Sequence, residues 1–175
     1  MKDKDVPKTR INSKNKGSRA KLELAKILTK RFGLPFARVG VTSGARVKNT
    51  MLPDNAIGVM TGDIIAPPGF RFSIESKSVN INIDFLDSSA QFDKWLLQAT
   101  TDAKSIEQIP LLAWKRNRKG WIVAVPSRAF VCTGMQFPAY YARYRDWLIF
   151  KLETLLAIHS PCFWFVPISK KEESE

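Results

Sequence analysis

The chain has 175 residues, 45% of them hydrophobic, which is enough for one well-buried core and too little for two ordinary domains. Its 28 Lys and Arg outnumber its 16 Asp and Glu, a formal charge of +12 that points to a polyanionic partner. Composition also argues against several classes: Cys132 and Cys162 have no CxxC or Cys/His spacing and read as buried reduced thiols, and the polar N-terminus carries no secretory h-region.

Residues 1–14 carry Lys2, Lys4, Lys8, Arg10 and Lys14 with hardly any apolar side chain, and are expected to form a basic flexible arm. From Gly17 the pattern changes. Leu24, Leu28 and Phe32 recur at i, i+4 and i+8, which predicts an amphipathic helix ending near Gly33-Leu34-Pro35. Residues 36–60, rich in Gly, Ser, Asn and Thr, read as a long loop with one short strand at 36–41. Two strands follow at 61–66 and 70–78, joined by the turn Pro67-Pro68-Gly69 into an expected hairpin.

Helical character returns at 90–105, where Phe92, Trp95, Leu96 and Ala99 share a face. The apolar runs 110–114 and 121–125, joined by the basic turn Lys115-Arg116-Asn117-Arg118-Lys119-Gly120, predict a second hairpin. A last helix is expected over 139–158 and a disordered tail over 169–175. The most apolar region, 147–168, is interrupted by Lys151, Glu153, His159 and Pro161, so no membrane span is expected. A single α/β (α+β) domain over 15–168, with a central mixed sheet flanked by helices, is the expected architecture.

The chemistry-bearing residues lie in the first expected hairpin. Along the second strand, Glu75 and Lys77 alternate with Ile74 and Ser76, so they project from one face. A turn centred on Pro68 sets residue 66 opposite 70 and Asp63 opposite Ser73, with Glu75 one diagonal step from Asp63, about 7–8 Å along the backbone. Two carboxylates and an ammonium group in one patch suit metal-assisted phosphodiester hydrolysis. Asp63, Glu75 and the backbone carbonyl of Ser76 offer hard oxygen ligands for magnesium, with manganese an expected substitute, and Lys77 can orient water or neutralise developing charge. By itself the hairpin reads first as an exposed strand face with a Glu/Lys ion pair.

The order of a basic Lys16-Gly17 helix start, a Gly62-Asp63-Ile64-Ile65 strand, a Glu75-Ser76-Lys77 strand and a helix bearing Trp95-Leu96-Leu97-Gln98 resembles the PD-(D/E)XK nuclease superfamily. Within it the chain is most similar to archaeal Holliday junction resolvases and their phage-encoded relatives. The likeness spans about residues 16–126, and the run from Pro110 to Trp121 resembles the phage members. It implies a restriction-endonuclease-like fold, a homodimer and magnesium-dependent cutting of DNA, with the Asp and Glu-x-Lys roles falling on Asp63, Glu75 and Lys77. Gln98 matches a glutamine that supports the site or DNA in some members; a solvent-facing helix residue is the alternative.

One position departs from the archaeal pattern, which has an acidic ligand four residues after the helix-start glycine, where this chain has Lys21. At 100° per residue, Lys21 lies near the centre of the Leu24, Leu28 and Phe32 face and Glu23 well away from it. Glu23 is therefore either a third catalytic carboxylate or a surface residue. His159 is the sole histidine and reads as structural, and no GxxxxGK[ST] or GxGxxG occurs, so no nucleotide cofactor is expected. The Trp and Phe residues, mostly at core periodicities, read as packing before base stacking.

DNA contacts are expected from Lys14, Lys16 and Arg19, from Arg38, Arg46 and Lys48, and from Lys115, Arg116 and Arg118. Such phosphate contacts give affinity without sequence preference, which is consistent with a structure-selective enzyme. The sequence thus reads as a magnesium-dependent endonuclease for branched DNA, a Holliday junction resolvase, acting in the cytoplasm, the host's if phage-encoded. A nuclease for nicked, flapped or single-stranded DNA and a non-catalytic DNA-binding protein on the same fold remain the alternatives.

Overall fold

The computed structural model describes residues 13–39, 62–79, 90–116, 120–132, 134–138 and 142–166. Helix α1 (Ser13–Phe32) starts ahead of Gly17. It buries Ala20, Leu24, Ala25 and Leu28 and turns Lys26 and Lys30 outward. Its end is set by Gly33, whose φ of 68° lets its N–H reach Thr29 O at 2.9 Å. The Thr29 hydroxyl then accepts the Phe36 N–H at 3.1 Å, directing the chain into β1 (Ala37–Arg38).

After β1 come β2 (Ile64–Ile65), β3 (Phe72–Val79), α2 (Ala90–Lys104), β4 (Ile109–Arg116) and β5 (Trp121–Pro126), followed by α3 (Arg128–Val131), β6 (Ala142–Tyr144), β7 (Trp147–Lys151), α4 (Leu152–Leu156) and α5 (Pro161–Trp164). The main sheet has the order β3-β4-β5-β7-β6. Strands β3 and β4 are parallel, and the other neighbours are antiparallel. Because parallel strands need a crossover, α2 connects β3 to β4. This is the mixed sheet with flanking helices, of α+β class, that the sequence predicts.

Alternation along the strands divides the core between the two faces. Phe72, Ile74, Leu111, Ala113, Val123, Val125, Leu148 and Phe150 pack on the side of α1. Leu112, Trp114, Ala124 and Ile149 pack on the side of α2, against Phe92, Trp95, Leu96 and Ala99. Phe92 meets Trp114 and Tyr144 edge-on, with centroids 5.3 and 5.2 Å away, each contact contributing about 0.5–1.5 kcal/mol beyond area burial. The aromatic residues at core periodicities are therefore packing residues.

Three local expectations are corrected. The first concerns the hairpin over 61–78: β2 is only two residues long and pairs with β1, not with β3. Pro67 and Pro68 have no N–H to give to a ladder, so the strand stops before them. The turn itself is present. Phe70 N–H reaches Pro67 O at 3.2 Å, and Gly69 takes a φ of 78° where a type II turn needs it.

The second is the helix expected over 139–158. The described residues there form β6, β7 and only then the short α4. Strand β7 lies between β5 and β6, so Leu148 and Phe150 face one core and Ile149 the other. Burial on both faces makes an unbroken apolar run a strand, although its local sequence is equally helical. The reversal at Arg145, with a φ of 52°, is compatible with a turn and not with a helix.

The third concerns the cysteines: Cys132 and Cys162 are free and exposed, not buried, because the end of α3 and the start of α5 turn them outward. Arg31 approaches His159 Nδ1 at 3.3 Å and donates to Leu156 O at 2.7 Å, so His159 lies where α1 is tied to the segment after α4. Among the described residues, no helix is long and apolar enough to cross a membrane.

Candidate active site

The site is assembled at the outer edge of β3, the end strand of the main sheet. Gly62 takes a φ of 103°, and a Cβ there would lie 2.9 Å from the Ile74 carbonyl oxygen and 3.1 Å from Ser73 Oγ. Only glycine lets the chain pass so close. Asp63 follows, its N–H donating to Ile74 O at 2.8 Å and its carbonyl accepting the Val39 N–H at 3.0 Å. Its Oδ2 accepts the Ser76 N–H at 2.9 Å. The Asp63 backbone thus meets β3 at Ile74 rather than Ser73. The N–H and C=O of one strand residue point the same way, so the Ser76 carbonyl also faces the edge occupied by Asp63.

Glu75 and Lys77 project from the α2 face of β3, as period-two alternation requires. Lys77 Nζ donates to Glu75 Oε1 at 2.6 Å and to Gln98 Oε1 at 2.8 Å. Gln98 Nε2 donates to the same Glu75 oxygen at 2.9 Å. Gln98 reaches them because Phe92, Trp95, Leu96 and Ala99 bury one face of α2 and leave Gln98 at its margin. Glu75 itself is buried. Burial first, and then the nearby Asp63 charge, push its carboxyl above the ordinary glutamate range, while Lys77 acts against both.

On the other side of Asp63, Lys21 of α1 donates from Nζ to Oδ1. The two side chains are 30% and 15% exposed, so the pair is only partly screened by solvent. Glu23 is not brought to this cluster. Its carboxylate is held by Lys115, at 2.6 Å from Oε2, and by Trp121 Nε1 at 3.2 Å. Burial acts to raise Glu23, but the bonds from Lys115 and Trp121 outweigh it and hold the carboxyl below the usual range. Among the described residues, no group of three His, Cys, Asp or Glu side chains converges.

The basic residues fall in several places. Lys16 and Arg19 lie in the first turns of α1, and the backbone of Lys14 belongs to the same helix. Arg38 donates to Ser18 Oγ, joining β1 to α1. Lys115 is committed to Glu23 and lies over the Trp121 ring, 5.8 Å from its centroid. Arg116 ends β4, while Arg46, Lys48 and Arg118 lie outside the described residues.

Residues 12–160 match the model of a family described as "Phage putative PDDEXK endonuclease". The chain belongs to this family. Within the curated proteins, Protein D14 of Escherichia phage T5 is 27% identical over 125 residues, covering 67% of this chain and 72% of that protein. Among solved structures, Hjc, a Holliday junction resolvase of the archaeal hyperthermophile Archaeoglobus fulgidus, is similar at 19% identity. That match covers 79% of this chain and 86% of the resolvase with a TM-score of 0.39, too distant to carry substrate or mechanism.

For a member of the PDDEXK endonuclease family, the cluster offers a chemically suitable place for a divalent cation. Asp63 is near enough for its charge to help raise the Glu75 pKa, a repulsion that a shared cation relieves. The Ser76 carbonyl faces the Asp63 edge, and the buried Ser76 hydroxyl has no hydrogen-bond partner among the described residues. Hard oxygen donors of this kind fit magnesium. Among the described residues of the site, Gly62 is the one that sequence reasoning missed as a participant. Its signal is a glycine directly before the acid, which matters only once β3 is seen pressed against it.

Proposed function

We propose that the chain is a magnesium-dependent endonuclease that cuts branched DNA, with four-way (Holliday) junctions as substrate, acting as a homodimer in the cytoplasm of a host cell. The observation that carries the proposal is the cluster of Asp63, Glu75, Lys77 and Gln98 within a chain of the PDDEXK endonuclease family. Asp63, Glu75 and the Ser76 carbonyl would hold the ion, which supplies Lewis-acid polarisation of the scissile phosphate and the attacking water. Lys77, positioned by Glu75 and Gln98, orients that water or offsets the charge that develops on phosphorus oxygens. Lys16 and Arg19 contact the DNA backbone, in keeping with the net charge of +12.

A second reading is a DNA-binding protein without catalysis. The bond from Lys21 to Asp63 favours it, since an ammonium group already satisfies that carboxylate. Incubation with a four-way junction, a linear duplex and a single strand, with and without magnesium, separates the two. Magnesium-dependent symmetric cuts confined to the junction are expected. Cleavage of other forms alone would replace the substrate, and binding without any cleavage would favour the second reading. Asp63→Asn and Glu75→Gln are expected to abolish cutting and leave junction binding intact.

A further inference from the structure

Both oxygens of the Asp63 carboxylate are engaged within the chain. Oδ2 takes the Ser76 N–H, and Oδ1 takes the Lys21 ammonium. Lys21 comes from α1 on one face of the sheet, while Lys77 and Glu75 stand on the α2 face. The cluster therefore contains two carboxylates and two ammonium groups, and their formal charges cancel. No third carboxylate converges on them among the described residues. A first divalent ion has the oxygens of Asp63 and Glu75 to draw on. A second would need further anionic oxygens beside Asp63 Oδ1, where a tethered positive charge already sits.

We propose that Lys21 takes the place of a second divalent cation at Asp63, so that the centre binds one metal ion per chain. The inference rests on the magnesium reading above. Lys21 is then a positioning residue with a second use. Its compact ammonium presents the other positive charge that a phosphate entering beside the metal meets, without the octahedral water shell a second ion would bring. A lysine on a packed helix is held by the fold, so this charge is present whether or not metal is abundant.

The test is manganese binding to the full chain without DNA, counting bound ions by the loss of the free-ion paramagnetic resonance signal. Wild type, Lys21→Met, Lys21→Glu and Asp63→Asn are compared, with folding checked by circular dichroism. Wild type is expected to bind one ion, and Lys21→Met to bind one ion at least about tenfold more tightly once the fixed charge is gone. Lys21→Glu, with three carboxylates, is expected to bind two, and Asp63→Asn none. Two ions on wild type, or one ion on Lys21→Glu at wild-type affinity, would overturn the role of Lys21 while leaving the metal centre standing. Absence of binding from wild type and both Lys21 variants would instead remove the metal centre, and the role of Lys21 with it. Lys21→Met is nearly isosteric, so the affinity comparison stands even if Lys21→Glu fails to fold.

Discussion

Gln98 Nε2 donates to the same Glu75 oxygen that Lys77 Nζ holds, and Lys77 in turn donates to Gln98 Oε1, closing a ring of three side chains. Helix α2 thereby fixes the rotamers of two residues on β3. Gln98→Ala removes both of its bonds while leaving Glu75 and Lys77 in place. Single-turnover cleavage is expected to fall about 10–100-fold, the usual effect of losing a partner that orients a metal ligand. Thermal stability should change by about 1 kcal/mol or less, since Gln98 lies at the exposed margin of its helix. Unchanged cleavage would show that Glu75 and Lys77 need no support from α2.

Burial and the Asp63 charge raise the pKa of Glu75 in the fold, and this has a sign in stability. The folded protein holds the Glu75 proton to a higher pH than the unfolded chain does. Stability from this group is therefore greatest below the ordinary glutamate pKa and declines as pH rises through the raised value. In the absence of divalent ions, Glu75→Gln should melt at a higher temperature than wild type near neutral pH. The gain should shrink as pH is lowered to the ordinary glutamate range. Melting curves across that window check it, and a gain that grows towards acid would reverse the sign.

Gly62 admits Asp63 to the edge of β3. Gly62→Ala places a methyl group 2.9 Å from the Ile74 carbonyl oxygen at a φ of 103°. The strain should cost roughly 1–3 kcal/mol, lowering Tm by several degrees, and cleavage should drop further because Asp63 is displaced. Calorimetry and cleavage measured on the same preparation test both parts. A variant as stable as wild type would mean that the segment shifts without strain.

Glu23→Gln distinguishes a surface ion pair from a third catalytic carboxylate. Glu23 is 46% exposed, so losing its charge on Lys115 should alter stability by about 0–1 kcal/mol. Cleavage should stay within about threefold of wild type, far from the abolition expected for Asp63→Asn. A loss comparable to Asp63→Asn would bring Glu23 into the reaction.

The α+β class, the helices α1 and α2, the β4–β5 hairpin and the shared face of Glu75 and Lys77 were legible in the sequence, because each depends on periodicity or turn chemistry within a short window. The direction of Lys21 was legible for the same reason, as helical phase alone turns it towards the apolar face. Three features were not. Strand β7 became a strand only because β5 and β6 flank it. Asp63 entered the site through one backbone bond to Ile74 and the clearance at Gly62, not through a ladder between β2 and β3. The partner of Glu23 was settled by Lys115 and Trp121, about 92 and 98 residues away along the chain. Which residue types the site contains was therefore a matter of sequence. Which of them touch was decided by packing between distant segments, where no local pattern records the distance.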